Sequence, residues 1–469
     1  MFRKGIVRLW SVVTLGLVGL WLSCYVYDKN RGNADGLIGN VAYNNVFIAV
    51  FILVGLGVGL SWGLTARQKT IQNYALLTFS GLFFIVFLEG IGHLVLGLKL
   101  VNSYSFIFRR FYISSAEAKG NPFPVCEIEP HVGRWRIHNK SYHFINCAGD
   151  SIHWNYNSVG ANDRQRSIKN PDSTRKRVAV FGDSYSEGFM VSNSNRWSAV
   201  LEKQTRLEHL NFAISGAGPL DYYLIYKTIG KAYEADVLMI GFLPANDFET
   251  YTEKEAYRLV EWPSFMPYWQ GSYPDYTLRY SLANVAQSIQ HGDHTPASLL
   301  KVVDSVYSHL PLSGKLKADL LAHSSLFRLL RELNSKSYRE GKFSRYEQFT
   351  EEEWNRVRYS LKKLKEEAGG KKVILLSIPI LPDLKALKQG KSNRVDPLLS
   401  QFCQQNGIGF IPLAPSFLKY KGDPEQLYVS CDGHWTVQGE ALAAEVIMNH
   451  PVYRSAVGLP SKSQKMGYE

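Results

Sequence analysis

The chain has 469 residues, of which 45% are hydrophobic and 20% charged, and its formal net charge is +12. This length allows two or three domains, and the composition excludes a wholly disordered chain because it supports a large core. The basic balance favours anionic partners such as phospholipid head groups or acidic glycans. Nucleic acid is not expected as a partner, since the sequence carries no zinc-finger, helix-turn-helix or RNA-binding signature.

Three apolar runs come first in the chain, at about residues 9–27, 46–64 and 74–98. Each is long enough to cross a bilayer as a helix, which predicts a membrane domain over residues 1–100. The first run also fits a cleaved signal peptide, because Arg3, Lys4 and Arg8 precede it. The two further runs favour three retained transmembrane helices instead.

Basic residues in the short flanking segments predict the orientation of these helices. Arg3, Lys4 and Arg8 precede the first run, and Arg67 and Lys69 separate the second from the third. Because cytoplasmic loops are enriched in lysine and arginine, the N-terminus should be cytoplasmic. We therefore expect a multi-pass inner-membrane protein, with everything after about residue 100 in a periplasm or its equivalent.

The third apolar run contains two ionisable residues, Glu89 and His93, four positions apart. Such residues inside a membrane are functional candidates by default. A mutual hydrogen bond near the outer end of the helix is the alternative. In the second run, glycines 55, 59 and 63 form a face for close packing, either on a neighbouring helix or on a partner protein.

Residues 101–173 form a predicted extracytoplasmic junction and an irregular lead-in. With Cys126 and Cys147 here and Cys403 and Cys431 later, the outer part has an even number of cysteines. An oxidising compartment allows two disulfides. We expect Cys126–Cys147 and Cys403–Cys431, the pairs closest in sequence; four free buried thiols are the alternative. The histidines of the lead-in fit no zinc spacing, so no metal is expected.

A change of pattern predicts an α/β domain over about residues 174–450, followed by a tail at 451–469. Short apolar runs at 178–181, 237–240, 373–378 and 408–411 alternate with amphipathic stretches. This alternation is typical of a parallel sheet covered by helices on both faces, a three-layer fold. Residues 250–370 are interpreted as a long, mostly helical insertion. Thr350 and Glu353 form a capping box for a helix that ends near Gly369.

The first strand runs directly into Gly182-Asp183-Ser184. In parallel sheets, ligands bind at the carboxyl ends of strands, so a serine there is placed as a nucleophile, although a helix-capping role also explains it. Gly216 and Asn246 follow two later strand ends and are candidate oxyanion donors. Near the C-terminus, Asp432 and His434 lie two apart, as an orienting carboxylate and a base.

These four blocks, in this order, resemble the SGNH/GDSL hydrolase superfamily over about residues 157–448. The resemblance implies that Ser184 is the nucleophile, that Asp432 and His434 complete the triad, and that the backbone N–H of Ser184 joins Gly216 and Asn246 in the oxyanion hole. No cofactor is implied. Only Gly433 separates Asp432 from His434, and Trp435 follows; this shorter motif is similar to that of periplasmic polysaccharide O-acetyltransferases.

An aromatic-rich run over residues 261–280 follows the Asn246 block. Trp262 and Trp269, together with Trp435, are candidate substrate-binding residues because aromatic faces stack on sugars; packing against the insertion is the alternative. Three functions remain open. The first is a membrane-anchored esterase that removes acyl groups, O-acetyl by expectation, from an envelope glycan or lipid. The second is an O-acyltransferase working with a multi-span membrane partner, and the third is a non-catalytic scaffold subunit.

Overall fold

The computed structural model describes residues 2–31, 37–38, 41–64, 68–98, 126–129, 131–248, 266–280, 324–330 and 349–460, with single residues or pairs at 308, 312–313, 315–316, 320, 333 and 346. The chain divides into two compact units. The first unit comprises residues 1–123, 259–263 and 295–341. The second unit comprises residues 124–258, 264–294 and 342–469.

Helices Phe2–Arg31, Tyr43–Leu64 and Lys69–Gly97 dominate the first unit, and a short antiparallel pair, Leu37–Ile38 with Val41–Ala42, precedes the second helix. Each helix packs on the next along the chain. Two segments, Trp10–Asp28 and Lys69–Leu96, are long and apolar enough to cross a membrane by length and composition alone. The apolar part of the middle helix is shorter, Val46–Ser61. A count of three membrane spans therefore stays a prediction of the sequence.

Glu89 and His93 bind a helical segment of the insertion that belongs to the same unit. The Glu89 carboxylate accepts hydrogen bonds from the Ser324 hydroxyl at 2.8 Å and from the backbone N–H groups of Ser325 and Leu326. His93 Nδ1 lies 3.2 Å from Ser325 Oγ. Because the first N–H groups of a helix lack helical acceptors, a carboxylate there satisfies them. The side chains of Glu89 and His93 therefore attach the helix Lys69–Gly97 to the segment at residues 324–326.

Two antiparallel hairpins open the second unit. Cys126–Glu129 pairs with Gly133–Arg136, and Lys140–Ile145 pairs with Ser151–Tyr156. The prediction of an irregular lead-in is therefore wrong over this stretch. The second hairpin alternates exposed and buried side chains, which places its aromatic residues, Trp154 and Tyr156 among them, on one buried face.

A five-stranded parallel sheet forms the core of the second unit, as predicted for an α/β fold. Its spatial order is Gly409–Pro412, Lys372–Ser377, Val237–Phe242, Val178–Gly182 and His209–Asn211. The chain runs from Val178–Gly182 outward to His209–Asn211, then returns to the other side of the first strand. The order therefore reverses between Val178–Gly182 and Val237–Phe242, and the crevice beyond such a reversal is where α/β sheets bind ligands.

Because crossovers between parallel strands are right-handed as a rule, the reversal of strand order implies helices on both faces of this sheet. One face carries Pro219–Thr228 and Glu351–Ala368, which pack on each other; the other carries Trp197–Thr205 and Val437–Asn449. The remaining helices of the unit are Ser184–Glu187, Pro244–Asp247, Leu381–Lys388, Val395–Gln405, Ala414–Leu418 and Pro451–Val457, with 3₁₀ turns at Gly230–Tyr233 and Pro424–Leu427 and a small hairpin of Pro267–Gln270 with Thr277–Tyr280.

The predicted insertion is shorter than residues 250–370. Helix Glu351–Ala368 links strands Val237–Phe242 and Lys372–Ser377, which are adjacent and parallel, so it is a crossover helix of the fold itself. Its capping box is confirmed: the Thr350 hydroxyl accepts from Glu353 N, and the Glu353 carboxylate accepts from Thr350 N. Gly369 ends the helix, as the sequence predicts.

Candidate active site

Ser184 stands at the carboxyl end of the central strand Val178–Gly182, as the first residue of helix Ser184–Glu187. Asp183 is the N-cap residue, and its side chain accepts from Tyr185 N at 3.0 Å. Gly182 is required for close approach, since a Cβ there would lie 2.2 Å from Ser186 Oγ. The capping role considered for Ser184 thus belongs to Asp183, which leaves the serine hydroxyl available for other contacts. We call residues 182–188 the nucleophile turn.

Residues 429–434 form a second loop, which we call the base loop, just before helix Val437–Asn449. Its ends are tied because Val429 N donates to His434 O at 2.7 Å and Gly433 N donates back to Val429 O at 2.6 Å. A bridge between Tyr428 and Trp435 closes the loop at its base. These bonds fix the backbone that carries Asp432 and His434.

The nucleophile turn and the base loop bring the three predicted catalytic side chains together. Ser184 Oγ lies 2.7 Å from His434 Nε2, and His434 Nδ1 contacts Asp432 Oδ1. The tautomer that satisfies both contacts has its proton on Nδ1, donated to Asp432, so that Nε2 accepts from the serine hydroxyl. This chain of contacts can remove a proton from Ser184 and stabilise the imidazolium that forms.

Groups suited to stabilising an oxyanion surround Ser184. Its own N–H opens a helix, where N–H groups have no helical acceptor. Asp183 Oδ2 is 3.1 Å from Asn246 Nδ2 and 3.4 Å from Ser184 Oγ, so the Asn246 amide lies beside the serine. Ile214 N donates to Gly182 O at 3.1 Å, which brings the segment containing Gly216 to the same turn. The donor roles of these three groups stay predictions.

Two buried carboxylic acids lie behind the serine. Burial raises the pKa of Asp183 to about 6, although the Asn246 hydrogen bond and nearby His434 favour the ionised form. Burial, followed by the charge of Asp183, raises the pKa of Asp247 well above its usual range. The Tyr222 hydroxyl donates to Asp247 at 2.9 Å. Two such acids do not both ionise readily at neutral pH, which limits negative charge beside a developing oxyanion.

Glu187, three residues after Ser184, is a connection that sequence reasoning missed. Its buried carboxylate accepts from Arg136 Nε at 3.0 Å and Nη2 at 2.8 Å, from Ser215 N at 2.7 Å and from the Tyr156 hydroxyl at 3.3 Å. Burial opposes ionisation, but the charge and hydrogen bonds of Arg136 keep the pKa of Glu187 below its ordinary value. Glu187 therefore ties the nucleophile turn to both lead-in hairpins and to the segment before Gly216. In the sequence, the one indication of such a role is that Glu187 lies three residues after Ser184.

Aromatic rings flank the base. The His434 ring lies 4.9 Å from that of Tyr185 and 5.0 Å from that of Phe189, and the Tyr185 hydroxyl donates to Gly433 O at 2.7 Å. Phe189 is only partly buried. These two residues, rather than the predicted tryptophans, present ring surface next to the triad. Both stand within five residues of Ser184, which is the signal by which the sequence could have indicated them.

The substrate-binding role predicted for two tryptophans is wrong. Trp435 is 1% exposed and stacks on Phe417, and Trp269 is 7% exposed with its indole N–H donated to Ser360 Oγ at 2.8 Å. Both are core residues. Trp269 lies between its hairpin and helix Glu351–Ala368, and Trp435 packs on helix Ala414–Leu418. Trp262 lies outside the described residues.

The predicted disulfide pairing is also wrong. Cys147 bonds Cys431, across 284 residues of sequence, and Cys403 is a buried free thiol. Nearness in sequence does not decide the pairing, because the turn after strand Lys140–Ile145 folds onto the base loop. The bond therefore anchors the residue immediately before Asp432. The side chain of Cys126 lies outside what the structure describes.

Among the described residues, no group of three or more histidine, cysteine, aspartate or glutamate side chains is arranged to hold a metal ion. The polar side chains at the site belong instead to the serine–histidine–aspartate chain and to the carboxylic acids behind it. The chemistry available from these residues is nucleophilic attack by an activated serine, with proton transfer through an imidazole.

No family model matches the chain, and no curated protein matches it either. Similar solved structures include a putative lipolytic protein of the G-D-S-L family from Desulfitobacterium hafniense, at 12% identity and a TM-score of 0.27, covering 58% of this chain and 99% of that one. A lipase/acylhydrolase from Enterococcus faecalis is 13% identical, with a TM-score of 0.31, covering 61% and 99%. Axe2, an acetylxylan esterase from Geobacillus stearothermophilus, is 11% identical, with a TM-score of 0.30, covering 62% and 97%.

The resemblance to SGNH/GDSL hydrolases rests on the sequence motifs that contain Ser184, Gly216, Asn246 and His434. The contacts among Ser184, His434 and Asp432 define the chemistry that this site can perform.

Proposed function

We propose that the chain is a serine ester hydrolase that removes acyl groups through an acyl-serine intermediate. The observation that carries this proposal is the 2.7 Å contact between Ser184 Oγ and His434 Nε2, continued from Nδ1 to Asp432. A serine hydroxyl is a weak nucleophile unless an adjacent base accepts its proton. Here the base is present and is itself oriented by a carboxylate.

The reaction follows from these contacts. Ser184 Oγ attacks the ester carbonyl carbon while its proton passes to His434 Nε2. The resulting oxyanion accepts hydrogen bonds from the N–H groups of Ser184 and Gly216 and from the Asn246 amide. His434 then gives the proton to the departing alcohol oxygen, which leaves an acyl-serine. Water, deprotonated by His434, attacks this ester, and collapse of the second oxyanion returns the proton to Ser184 Oγ and releases the carboxylic acid.

We propose further that the substrate is an O-acyl, and specifically O-acetyl, group of a cell-envelope glycan, and that the enzyme acts outside the cytoplasm while anchored by its N-terminal helices. Two apolar helices of sufficient length and a disulfide beside the base loop support this placement. The net charge of +12 supports an anionic partner.

Labelling with a fluorophosphonate probe, combined with an acetyl-ester turnover assay, tests the reaction. Wild type should be labelled and should turn over the ester, and Ser184→Ala should do neither while remaining folded. Ser194→Ala, which removes an exposed hydroxyl ten residues along, is the control and should match wild type. Labelling with negligible hydrolysis, restored only by an acceptor sugar, would replace hydrolysis by acyl transfer. A folded wild type that is not labelled would exclude serine catalysis.

A further inference from the structure

Two arginines on strand Gly133–Arg136 have contrasting surroundings. Because side chains two residues apart point to the same face of a strand, Arg134 and Arg136 share a face. Arg136 is buried and forms a bidentate ion pair with Glu187. Arg134 is only partly buried, and its guanidinium donates through Nη2 to a carbonyl, Ser215 O. In the described part of the chain, Arg134 forms no ion pair with any carboxylate.

Arg134 stands beside the predicted oxyanion glycine. A Cβ on Gly216 would lie 2.7 Å from Arg134 Nη2, and Gly216 has φ = +74°, a left-handed conformation that favours glycine. The same segment is bonded to the nucleophile turn through Ile214 N and Gly182 O. The guanidinium therefore lies beside a segment, residues 214–216, that is hydrogen-bonded to the nucleophile turn.

Asp221 is a carboxylate whose charge interacts with that of Arg134, and it already has a hydrogen-bond donor. Asp221 accepts from Gly218 N at 2.8 Å, at the start of helix Pro219–Thr228. Burial raises the pKa of Asp221 to about 6, and Arg134 acts in the opposite direction. Among the described residues, Arg134 and Asp221 form no ion pair, and the guanidinium has a hydrogen bond through Nη2 only. The other N–H groups of the guanidinium can therefore donate to a ligand. Such a fork matches a carboxylate in two parallel hydrogen bonds.

We infer that Arg134 is a substrate-binding residue that holds a carboxylate of the glycan, so that the substrate is an acylated polymer containing uronic acid. The inference rests on the proposed function and extends it to the class of sugar. A uronic acid carries its carboxylate and its esterified hydroxyl on one ring, so a single sugar presents a carboxylate for the cation beside Gly216 and an ester for Ser184. Phe189, partly exposed next to His434, offers a ring face against which that sugar can stack.

Binding to the full-length protein with Ser184→Ala, measured by calorimetry, tests this inference without requiring turnover. The probes are tetragalacturonate and the neutral tetrasaccharide obtained by reducing its carboxylates. The acidic probe should bind at least ten-fold more tightly. Adding Arg134→Gln should weaken the acidic probe by about 10- to 100-fold, as for loss of charge-assisted hydrogen bonds, and should leave the two probes equal. Arg134→Lys should retain part of the preference, because the charge remains without the fork.

Arg175→Gln is the matched control. Arg175 is exposed, donates through Nη2 to the carbonyl of Thr205 at 3.1 Å, and stands before the amino end of the nucleophile strand, away from the site. Its loss removes the same unit of charge and should change binding less than two-fold. If Arg134→Gln and Arg175→Gln weaken tetragalacturonate binding equally, the loss reflects only the lower net charge of the protein. That result would overturn the inference.

The outcomes separate this inference from the proposed function. Suppose that fluorophosphonate labels the wild type but that saccharide binding is unchanged by Arg134→Gln, or that neither saccharide binds. Either result would overturn the uronate subsite and leave the hydrolase proposal standing. Arg134-dependent binding of tetragalacturonate to a protein that is never labelled would support the subsite and overturn the hydrolase. Arg134-dependent binding of phosphatidylglycerol vesicles, with none of the saccharide, would replace the glycan by a lipid and overturn the inference.

Discussion

The nucleophile turn and the base loop hold their proposed catalytic groups by different means. Ser184 is 8% exposed and belongs to a buried turn fixed by hydrogen bonds, above all those of Glu187. The base loop is more exposed: the side chain of His434 is 21% exposed, and Cys431 and Gly433 are exposed. Its position is set by short backbone bonds and by a disulfide. Ser184 is thus held by packing and hydrogen bonds in a buried turn. His434 is held in a more exposed loop by a disulfide to Cys147, which lies outside that loop.

The orienting carboxylate of the base loop should show the largest effect. Asp432→Asn keeps the shape of the side chain but favours the wrong imidazole tautomer, so kcat should fall by about 10²- to 10⁴-fold. Steady-state kinetics on an acetyl ester measure this, and an unchanged melting temperature shows that folding is intact. Turnover within two-fold of wild type would remove Asp432 from the mechanism.

Breaking the ion pair behind the nucleophile should destabilise the second unit. Glu187→Gln removes the charge that forms the bidentate ion pair with buried Arg136, so the free energy of unfolding should fall by about 3–5 kcal/mol. Denaturant unfolding of the purified chain measures it. Glu425→Gln is the control, because Glu425 pairs with Lys385 at the surface and its loss should change stability by about 0–1 kcal/mol. Similar losses of stability in both variants would show that the buried Arg136–Glu187 pair contributes no more than the exposed Lys385–Glu425 pair.

Removal of the disulfide should affect the base loop in two ways. Cys147→Ser should lower the stability by about 2–4 kcal/mol. It should also lower kcat by about 10- to 100-fold, because a displaced base transfers protons poorly. Reductant should reproduce both effects in wild type and change nothing further in the variant. Full activity of the reduced wild type would mean that backbone bonds alone position His434.

The last prediction concerns pH and Glu440, a buried acid of helix Val437–Asn449. Burial raises the pKa of Glu440 to about 8, although its hydrogen bond from Trp197 N and the charge of Arg196 favour ionisation. A raised pKa means that the folded state holds the proton more tightly, so stability should decline as pH rises from about 4.5 towards 8. Each pKa unit corresponds to about 1.4 kcal/mol.

Glu440→Gln removes this proton while keeping an acceptor for Trp197 N. Its stability should therefore stay flatter than that of wild type between about pH 5 and 8, measured by unfolding at a series of pH values. Parallel curves for the two proteins would show that Glu440 is ionised without penalty in the folded state.

The strands and the order of the motifs were predictable because each depends on local pattern. The run Val178–Gly182 and the Thr350 capping box lie where the sequence predicts them. The partners of Cys147 and Glu187 were not predictable, because both depend on how the lead-in hairpins fold onto the sheet. The burial of Trp269 was left open as an alternative and that of Trp435 was missed, because aromatic residues occur both in protein cores and in sugar-binding surfaces.

The disulfide also has a consequence for how the chain is completed. Ser184 comes early in the second unit, whereas its base and the cysteine that clasps the base loop come 250 and 247 residues later. A chain that stops short of residue 431 therefore has a nucleophile without a proton acceptor, and a cysteine at 147 without its partner. Under the proposed mechanism, copies that stop before His434 should be inert towards esters, because Ser184 would have no base to accept its proton.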